Sequence, residues 1–259
     1  MKTLKVIKIG GNIINNEDSL LTFLKGFSSL KGPKILVHGG GKLASDLSNK
    51  LNIPVQLIDG RRVTNAETLD IITMVYAGKI NKNIVAKLQS FGCNSVGFSG
   101  ADGNTIIANK RSETPINYGF AGDVAKVNIE VPKTLLNNNI ANIFSAISHD
   151  KKGQLLNTNA DTIASELAIA FSKNYKVELY YCFEKKGVLQ SINDENSVIK
   201  KINNKSYIEL KKSNIINEGM IPKLDNCFYA LDHHVSKVCI GQPTMLFDHH
   251  SNFTTIQKL

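Results

Sequence analysis

Two short β-type runs, each ended by consecutive glycines, constrain the fold of this chain more than any other feature. Residues 4–9 (LKVIKI) precede Gly10-Gly11, and residues 34–38 (KILVH) precede Gly39-Gly40-Gly41. Between them, apolar residues at helical spacing follow an acidic start at Glu17. A strand, a helix and a strand in this order predict a βαβ unit with parallel strands. Both glycine clusters then fall at the carboxyl edge of an open sheet, where ligands of such folds bind.

The rest of the chain continues the alternation of helices and strands, so we predict an α/β fold built on an open, mainly parallel sheet. A helix that ends near residue 171 is followed by a new apolar strand, which places a lobe boundary at Asn174-Tyr175. We predict further helices over residues 67–88, 133–137, 158–171 and 222–234, and strands over 94–98, 105–109, 123–129, 140–147, 177–183 and 238–240.

Composition excludes several classes of protein. The 259 residues can bury a full core, and no apolar run approaches the roughly 20 residues of a membrane helix. The first residues lack the pattern of a signal peptide, so we expect a cytoplasmic protein with no membrane partner. The four cysteines form no C-x-x-C pair, which favours buried, reduced thiols over a structural zinc site.

The net charge of +9 suggests a nucleic-acid partner, but the distribution of the basic residues does not. Only three of the 31 basic residues are arginines, and the lysines are spread along the chain in groups no longer than two. No basic block with interleaved aromatic residues occurs. We therefore expect no nucleic-acid binding.

Lys8 is unusual because a central strand of a parallel sheet is normally apolar on both faces. A strand-end lysine that extends to water is one interpretation. The other is a cation held beside the exposed backbone of Gly10-Gly11, which suits phosphate oxygens. The three glycines after His38 likewise allow the backbone to approach a ligand closely. The chain contains neither a P-loop nor a G-x-G-x-x-G fingerprint, so any phosphate site uses another arrangement.

Six segments in order along the chain resemble motifs of the amino acid kinase superfamily, in particular of its members that phosphorylate N-acylated glutamate. They are residues 8–11 (KIGG), 38–41 (HGGG), 59–64 (DGRRVT), 119–124 (GFAGDV), 157–161 (NTNAD) and 219–223 (GMIPK). Six such matches in sequence are specific evidence where one would be weak.

The resemblance implies a three-layer αβα sandwich and a homodimer. It assigns residues 1–173 to a lobe for acyl-amino-acid binding and dimerisation, and residues 174–259 to a lobe for ATP. The implied reaction transfers the γ-phosphoryl group of ATP to the side-chain carboxylate of N-acetyl-L-glutamate, a step of arginine biosynthesis. Mg²⁺ is expected to be held mainly by phosphates and water, with no metal site made by the protein.

The resemblance also implies residue roles. Lys8 and Lys223 stabilise the transition state, and Asp161 holds them in place; capping of a helix is the alternative role of Asp161. Gly40, Gly41, Arg62 and Asn157 bind the acylated amino acid, with Arg62 as a bidentate clamp on a carboxylate. Nucleotide binding is assigned to Gly10, Gly11, Glu184, Lys185, Lys186, Gly187, Val188, Leu189, Ile215, Ile216 and Asn217, although Glu184-Lys185-Lys186 departs from the pattern of the family.

Other functions remain open at this point. Sister kinases act on aspartate, glutamate, carbamate or UMP, and the same reaction on N-succinyl-L-glutamate is a closer alternative, for which Lys42 is a candidate ligand of the extra carboxylate. A catalytically inactive sensor of nucleotide or amino acid is an alternative of another class. The triplets Asp232-His233-His234 and Asp248-His249-His250 suggest a metal site, but adjacent residues of a helix point in different directions, which favours surface histidines.

Overall fold

A large, mainly parallel sheet forms the centre of the protein in the computed structural model, which describes residues 1–58, 60–216, 220–248 and 250–258 and leaves out the side chain of Pro222. The strands are β1 (Thr3–Ile9), β2 (Lys34–His38), β3 (Leu57–Ile58), β4 (Arg61–Arg62), β5 (Ser95–Phe98), β6 (Ile106–Lys110), β7 (Gly122–Val127), β8 (Ala141–Ser145), β9 (Ile147–His149), β10 (Leu155–Asn157), β11 (Lys176–Cys182), β12 (Lys201–Ile202), β13 (Lys237–Gly241) and β14 (Thr254–Ile256).

Helices connect and cover these strands. They are α1 (Gly11–Ile14), α2 (Glu17–Ser29), α3 (Gly41–Lys50), α4 (Ala66–Ile72), α5 (Asn81–Ser90), α6 (Glu130–Asn137), α7 (Ala160–Phe171), α8 (Asn204–Lys212) and α9 (Ile221–Asp232). A π-helical segment, Thr73–Ile80, joins α4 to α5, and two short 3₁₀ turns cover Asp102–Asn104 and Pro243–Leu246.

The main sheet has eight strands in the order β12-β14-β13-β11-β1-β2-β8-β5. All neighbouring strands are parallel except β13 and β14. Every residue of β2 and β8 is buried, so helices cover both faces of the sheet. The α/β fold and its three layers, predicted from the sequence, are therefore confirmed.

The register of the central strands aligns their carboxyl ends. The Cα of Ile9 in β1 pairs with both His38 of β2 and Cys182 of β11. His38 also pairs with Ser145 of β8, and Cys182 pairs with Gly241 of β13. The loops that follow these strands consequently meet at one edge of the sheet, as the two glycine clusters predict.

A second sheet of four strands, in the order β10-β9-β6-β7, adds to this edge. Its strands β6 and β7, which correspond to the strands predicted over 105–109 and 123–129, pair antiparallel. Isolated bridges join Thr64 to Gly119 and Ala121 to Asn157. The second sheet thereby brings Asn157 and the residues before β7 to the loop that carries Arg62.

Local hydrogen bonds explain where α2 begins and ends. The side chain of Asn16 accepts a hydrogen bond from the Ser19 N–H at 2.8 Å at the start of α2. At the other end of α2, Lys34 donates to the carbonyls of Phe27, Ser28 and Leu30 at 2.8 to 2.9 Å. A buried ammonium group thus satisfies the last carbonyls of the helix.

Several elements were not predicted. The short strands β12 and β14 extend the sheet, and β14 lies where the sequence indicated only a tail; two or three residues are too few for a periodic signal. Helix α8 and the π-helical segment within the predicted helix over 67–88 were not predicted either. The four cysteines are free and buried, as expected. Within the described ranges, no helix is long and apolar enough to cross a membrane.

Candidate active site

A cleft of about 1110 Å³ opens at the carboxyl edge of the main sheet. It contains predicted residues that are far apart in the sequence and come from β1, α7, α9 and the glycine loops. The predicted catalytic and substrate-binding residues that line it are Lys8, Asp161, Lys223, Gly40, Gly41, Arg62 and Asn157, and the predicted phosphate loop adds Gly10 and Gly11.

Two ammonium groups share one carboxylate in this cleft. Lys8 Nζ lies 2.8 Å from Asp161 Oδ1, and Lys223 Nζ donates to Asp161 Oδ2 at 2.7 Å. The three side chains are only 15 to 17% exposed. An ammonium group carries three protons, so Lys8 and Lys223 can each contact a ligand as well as Asp161. Two cations and one anion leave one uncompensated positive charge at this point of the cleft.

The position of Asp161 follows from the start of α7. The side chain of Asn159 accepts hydrogen bonds from the N–H groups of Asp161 and Thr162, which fixes the first turn of the helix. Burial alone would raise the pKa of the Asp161 carboxyl, but Lys8 and Lys223 together hold that pKa well below its usual range. Asp161 is therefore ionised and orients both lysines. The Tyr181 hydroxyl supports the turn by donating to the Asp161 carbonyl at 3.1 Å.

Arg62 has a guanidinium group that is only partly engaged by the protein. One of its terminal nitrogens, Nη2, donates to the Gly41 carbonyl at 2.9 Å and to Ser45 Oγ at 2.7 Å. The other, Nη1, is buried without a hydrogen-bond partner among the described residues. A buried, unpaired donor of this kind is costly unless a ligand accepts from it, and a carboxylate fits the guanidinium fork.

Backbone and amide groups complete the wall around Arg62. Asn157 Nδ2 donates to Thr64 Oγ1 at 3.0 Å, which orients the Asn157 side chain. The Gly40 N–H has no hydrogen-bond partner in the part of the chain that the structure describes. A Cβ atom at Gly40 would collide with Ile80 and Tyr76, so this position requires glycine.

All three arginines of the chain, Arg61, Arg62 and Arg111, line the cleft. Arg111 was not predicted as a site residue. Its guanidinium forms an ion pair with Asp123 and lies 5.4 Å from the centre of the Tyr118 ring. The hydrogen bonds to Asp123 raise the pKa of Arg111 above its ordinary value. The rarity of arginine in this lysine-rich chain is the one sequence signal that sets Arg111 apart.

Most of the predicted nucleotide residues lie outside the lining of this cleft. Glu184, directly after β11, accepts a hydrogen bond from Asn12 Nδ2 at 3.1 Å and so lies beside the Gly10-Gly11 loop. Lys185 and Lys186 contact Glu195 and Asn196, respectively.

The remaining predicted nucleotide residues have structural contacts or are not described. Gly187 packs closely on Thr254, to whose hydroxyl Val188 donates from its backbone, and Leu189 forms a bridge to Val198. Ile216 is buried, the Ile215 N–H donates to the Leu210 carbonyl, and Asn217 lies outside the described residues.

No group of three histidine, cysteine, aspartate or glutamate side chains that could hold a metal ion occurs within the described part of the chain. Of the two histidine triplets, His249 lies outside that part. His233 is exposed, and its Nδ1 faces the Tyr229 carbonyl at 2.8 Å.

Comparison with known proteins gives the class of this site. The model of the amino acid kinase family matches residues 3–242. The chain therefore belongs to the amino acid kinase family.

Within that family, the chain is similar to proteins of one name. It is 53% identical to the acetylglutamate kinase of Cytophaga hutchinsonii over 249 residues, which cover 96% of this chain and 94% of the relative. It is 46% identical to the acetylglutamate kinase of Parabacteroides distasonis, over 93% of this chain and 95% of that protein. Among solved structures, smu.665 from Streptococcus mutans UA159 is similar, with a TM-score of 0.78, 27% identity and 98% coverage of both chains.

Proposed function

We propose that this protein is a kinase that phosphorylates the side-chain carboxylate of N-acetyl-L-glutamate with ATP, giving N-acetyl-L-glutamyl 5-phosphate and ADP in arginine biosynthesis. The observation that carries the proposal is the arrangement of Lys8 and Lys223 on the two oxygens of Asp161, in the cleft that the unpaired Nη1 of Arg62 also lines. The similarity to two proteins named acetylglutamate kinase supports the acyl-amino-acid substrate.

Phosphoryl transfer needs alignment of the reacting atoms and neutralisation of charge more than it needs covalent help from the protein. In the proposed reaction, an oxygen of the substrate side-chain carboxylate forms a bond to the γ-phosphorus while the bond from phosphorus to the β,γ-bridging oxygen breaks. Negative charge develops on the transferring group and on ADP. Lys8 and Lys223 provide two cations for this charge, and Asp161 keeps them in fixed positions before the substrates bind.

The acylated amino acid is positioned by the other wall of the cleft. Arg62 Nη1 and the Asn157 side chain bind the α-carboxylate and the acyl-amide end of the substrate. The backbone of Gly40 and Gly41 lies against the same molecule. This assignment leaves the side-chain carboxylate of the substrate directed toward the lysines. Binding in this orientation supplies the proximity on which the rate depends.

ATP occupies the side of the cleft at Gly10-Gly11 in this proposal. Gly10 and Gly11 face the phosphates, and the loop over residues 184–189 with Ile215 and Ile216 binds the nucleoside. The contact of Glu184 with Asn12 supports this because it brings that loop next to the Gly10-Gly11 turn. Both oxygens of Asp161 are paired with ammonium groups, so the phosphates of ATP and water would hold Mg²⁺, which would supply further positive charge to the phosphates.

The proposal includes two larger features. Residues 1–173 form the lobe that binds the amino acid and makes a homodimer, and residues 174–259 form the ATP lobe. The position of the cleft supports the division, because its substrate residues precede residue 174 and Lys223 follows it.

An assay that traps the acyl phosphate with hydroxylamine tests the proposal. The protein, ATP and Mg²⁺ are incubated with N-acetylglutamate, N-succinylglutamate, glutamate or aspartate, and the hydroxamate and ADP are measured. We expect turnover of N-acetylglutamate well above that of the other three compounds. Greatest turnover of N-succinylglutamate would contradict the substrate, and hydrolysis of ATP without hydroxamate would contradict the reaction.

A matched variant identifies the source of the activity. Asp161→Asn should abolish hydroxamate formation, whereas Asp232→Asn, at an exposed aspartate on α9, should leave it unchanged. If none of the four compounds is turned over, the result would favour a catalytically inactive sensor of nucleotide or amino acid. ATP and each compound should then still protect the protein from thermal unfolding.

A further inference from the structure

His38, the residue before the three glycines, is completely buried and makes two hydrogen bonds. Its Nδ1 lies 2.9 Å from the Gly39 carbonyl oxygen, and its Nε2 lies 3.0 Å from Asn81 Nδ2. The proposed reaction gives this ring no task. A buried imidazole with both nitrogens engaged nevertheless has a defined orientation, and the group at its Nδ1 end belongs to the wall of the cleft.

The partners of the ring determine where its proton lies. Asn81 Nδ2 also donates to the Ile143 carbonyl at 2.9 Å, so this atom is the amide nitrogen and the orientation of the Asn81 side chain is fixed. An amide nitrogen can only donate, and His38 Nε2 must therefore accept. The proton of the neutral ring is then on Nδ1, from which it can be donated to the Gly39 carbonyl. Burial keeps the ring neutral by lowering the pKa of His38 to about 4.

The carbonyl that His38 holds controls the direction of a neighbouring donor. The C=O of Gly39 and the N–H of Gly40 belong to one planar, trans peptide group, so they point in opposite directions. Holding the Gly39 oxygen toward His38 turns the Gly40 N–H away from His38. Glycines allow many backbone conformations, and the contact with His38 helps to select one of them for this peptide.

The π-helical segment provides the second half of the arrangement. Tyr76 and Ile80, both within it, pack so closely on Gly40 that no Cβ atom would fit there. Asn81 follows directly and is itself fully buried. The π-helical segment thus places Tyr76 and Ile80 against the glycine loop, and the next residue, Asn81, lies against the His38 ring. This arrangement agrees with the frequent occurrence of π-helical turns at functional sites.

We infer that His38 and Asn81 are positioning residues that hold the Gly39–Gly40 peptide so that the Gly40 N–H is presented to the acylated amino acid. The inference rests on the proposed function for the identity of that ligand. The hydrogen-bond chain runs from the Ile143 carbonyl through Asn81 and His38 to the Gly39 carbonyl. None of these side chains touches the substrate.

Two substitutions of His38 distinguish the roles of its two ring nitrogens. An asparagine amide can reach the position of Nδ1, so His38→Asn retains a hydrogen-bond donor to the Gly39 carbonyl. A glutamine amide lies near the position of Nε2 instead, so His38→Gln loses that donor. We expect His38→Gln to raise the KM for N-acetylglutamate about tenfold, with the KM for ATP unchanged, because one neutral hydrogen bond corresponds to a factor of that order. His38→Asn should stay within about threefold of the wild type.

Matched controls use the exposed His233, whose Nδ1 also faces a backbone carbonyl. His233→Asn and His233→Gln should leave all constants unchanged. An equal increase of the KM for N-acetylglutamate in both His38 variants, or a larger increase in His38→Asn, would overturn the inference. If the ring only filled space, the position of the amide that replaces it would make no such difference. If N-acetylglutamate is not the substrate, the wild type itself does not phosphorylate it. That result would contradict the proposed function and not the role of His38.

A spectroscopic measurement on the wild type is independent of activity and of the folding of the variants. In protein labelled with ¹⁵N-histidine, nitrogen shifts distinguish protonated from unprotonated ring nitrogens. The His38 ring is expected to stay neutral between about pH 7.5 and about pH 5.5, because burial lowers its pKa to about 4. Protonation of this ring at Nδ1 is expected. Protonation at Nε2 would refute the hydrogen bond to Gly39.

Discussion

The burial of His38 predicts a dependence of stability on pH that can be calculated. Its pKa changes from 6.5 in the unfolded chain to about 4 in the folded protein, because burial opposes the charged ring, with a smaller contribution in the same direction from Lys82. The folded state therefore binds fewer protons than the unfolded state between these values. The contribution of His38 to the free energy of unfolding is therefore fully present above pH 6.5 and is lost as the pH falls toward 4.

The size of the effect follows from the two pKa values. Between about pH 7.5 and about pH 5, protonation of the unfolded ring lowers the free energy of unfolding by about 2 kcal/mol, at about 1.4 kcal/mol for each unit of pKa. His38→Asn removes this titration. The free energy of unfolding of the wild type minus that of His38→Asn should therefore decrease by about 2 kcal/mol as the pH is lowered over this range.

Urea unfolding followed by far-ultraviolet circular dichroism measures this difference, since the chain contains no tryptophan for fluorescence. All samples need one protein concentration, because association of the chain would add to its stability. Asp161 titrates at lower pH and is present in both proteins, and so its contribution cancels. The variant His233→Asn serves as the control for the removal of an exposed histidine. A difference between wild type and His38→Asn that is constant with pH would refute the reasoning.

Three further predictions concern the charged groups of the cleft. Lys8→Met and Lys223→Met should each lower kcat at least about a hundredfold, whereas Lys5→Met on the same strand as Lys8 should not, as steady-state assays would reveal. Arg62→Lys retains the charge but loses the fork, so the KM for the amino acid should rise about tenfold without a change in the KM for ATP; an unchanged KM would exclude the clamp. Asp161→Asn leaves two ammonium groups without their carboxylate, and urea unfolding should show a loss of about 3 kcal/mol or more; unaltered stability would contradict the shared ion pair.

The sequence predicted the parts of the fold that depend on local pattern. The βαβ unit was evident from residues 4–38, and the alignment of strand ends follows from parallel pairing. Lys8 and the glycine loops could be located by the same reasoning. Asp161 and Lys223, however, are 62 residues apart in sequence and their contact depends on the packing of two helices. Only the resemblance to the family indicated that they belong together.

Other parts of the site could not be predicted because they depend on exact helical register or on rare contacts. Asn81 reaches His38, 43 residues earlier, because eight residues of π-helix precede α5. A regular helix over the same sequence would direct another residue to the ring, and periodicity does not distinguish the two. Arg111 is similar, since its place in the cleft depends on Asp123 across the β6–β7 hairpin.

The distribution of charge explains how a lysine is tolerated in a central strand. Lys8 pairs in register with Val37 and Tyr181, and an unpaired ammonium at this half-buried position would be strongly destabilising. Asp161 compensates this charge, and Tyr181 helps to hold the turn that carries Asp161. The addition of Lys223 to the same carboxylate then restores a net positive charge, which serves no purpose for stability. An anionic ligand is the partner that this excess charge requires, and for that reason the second lysine is better explained by phosphoryl transfer than by folding.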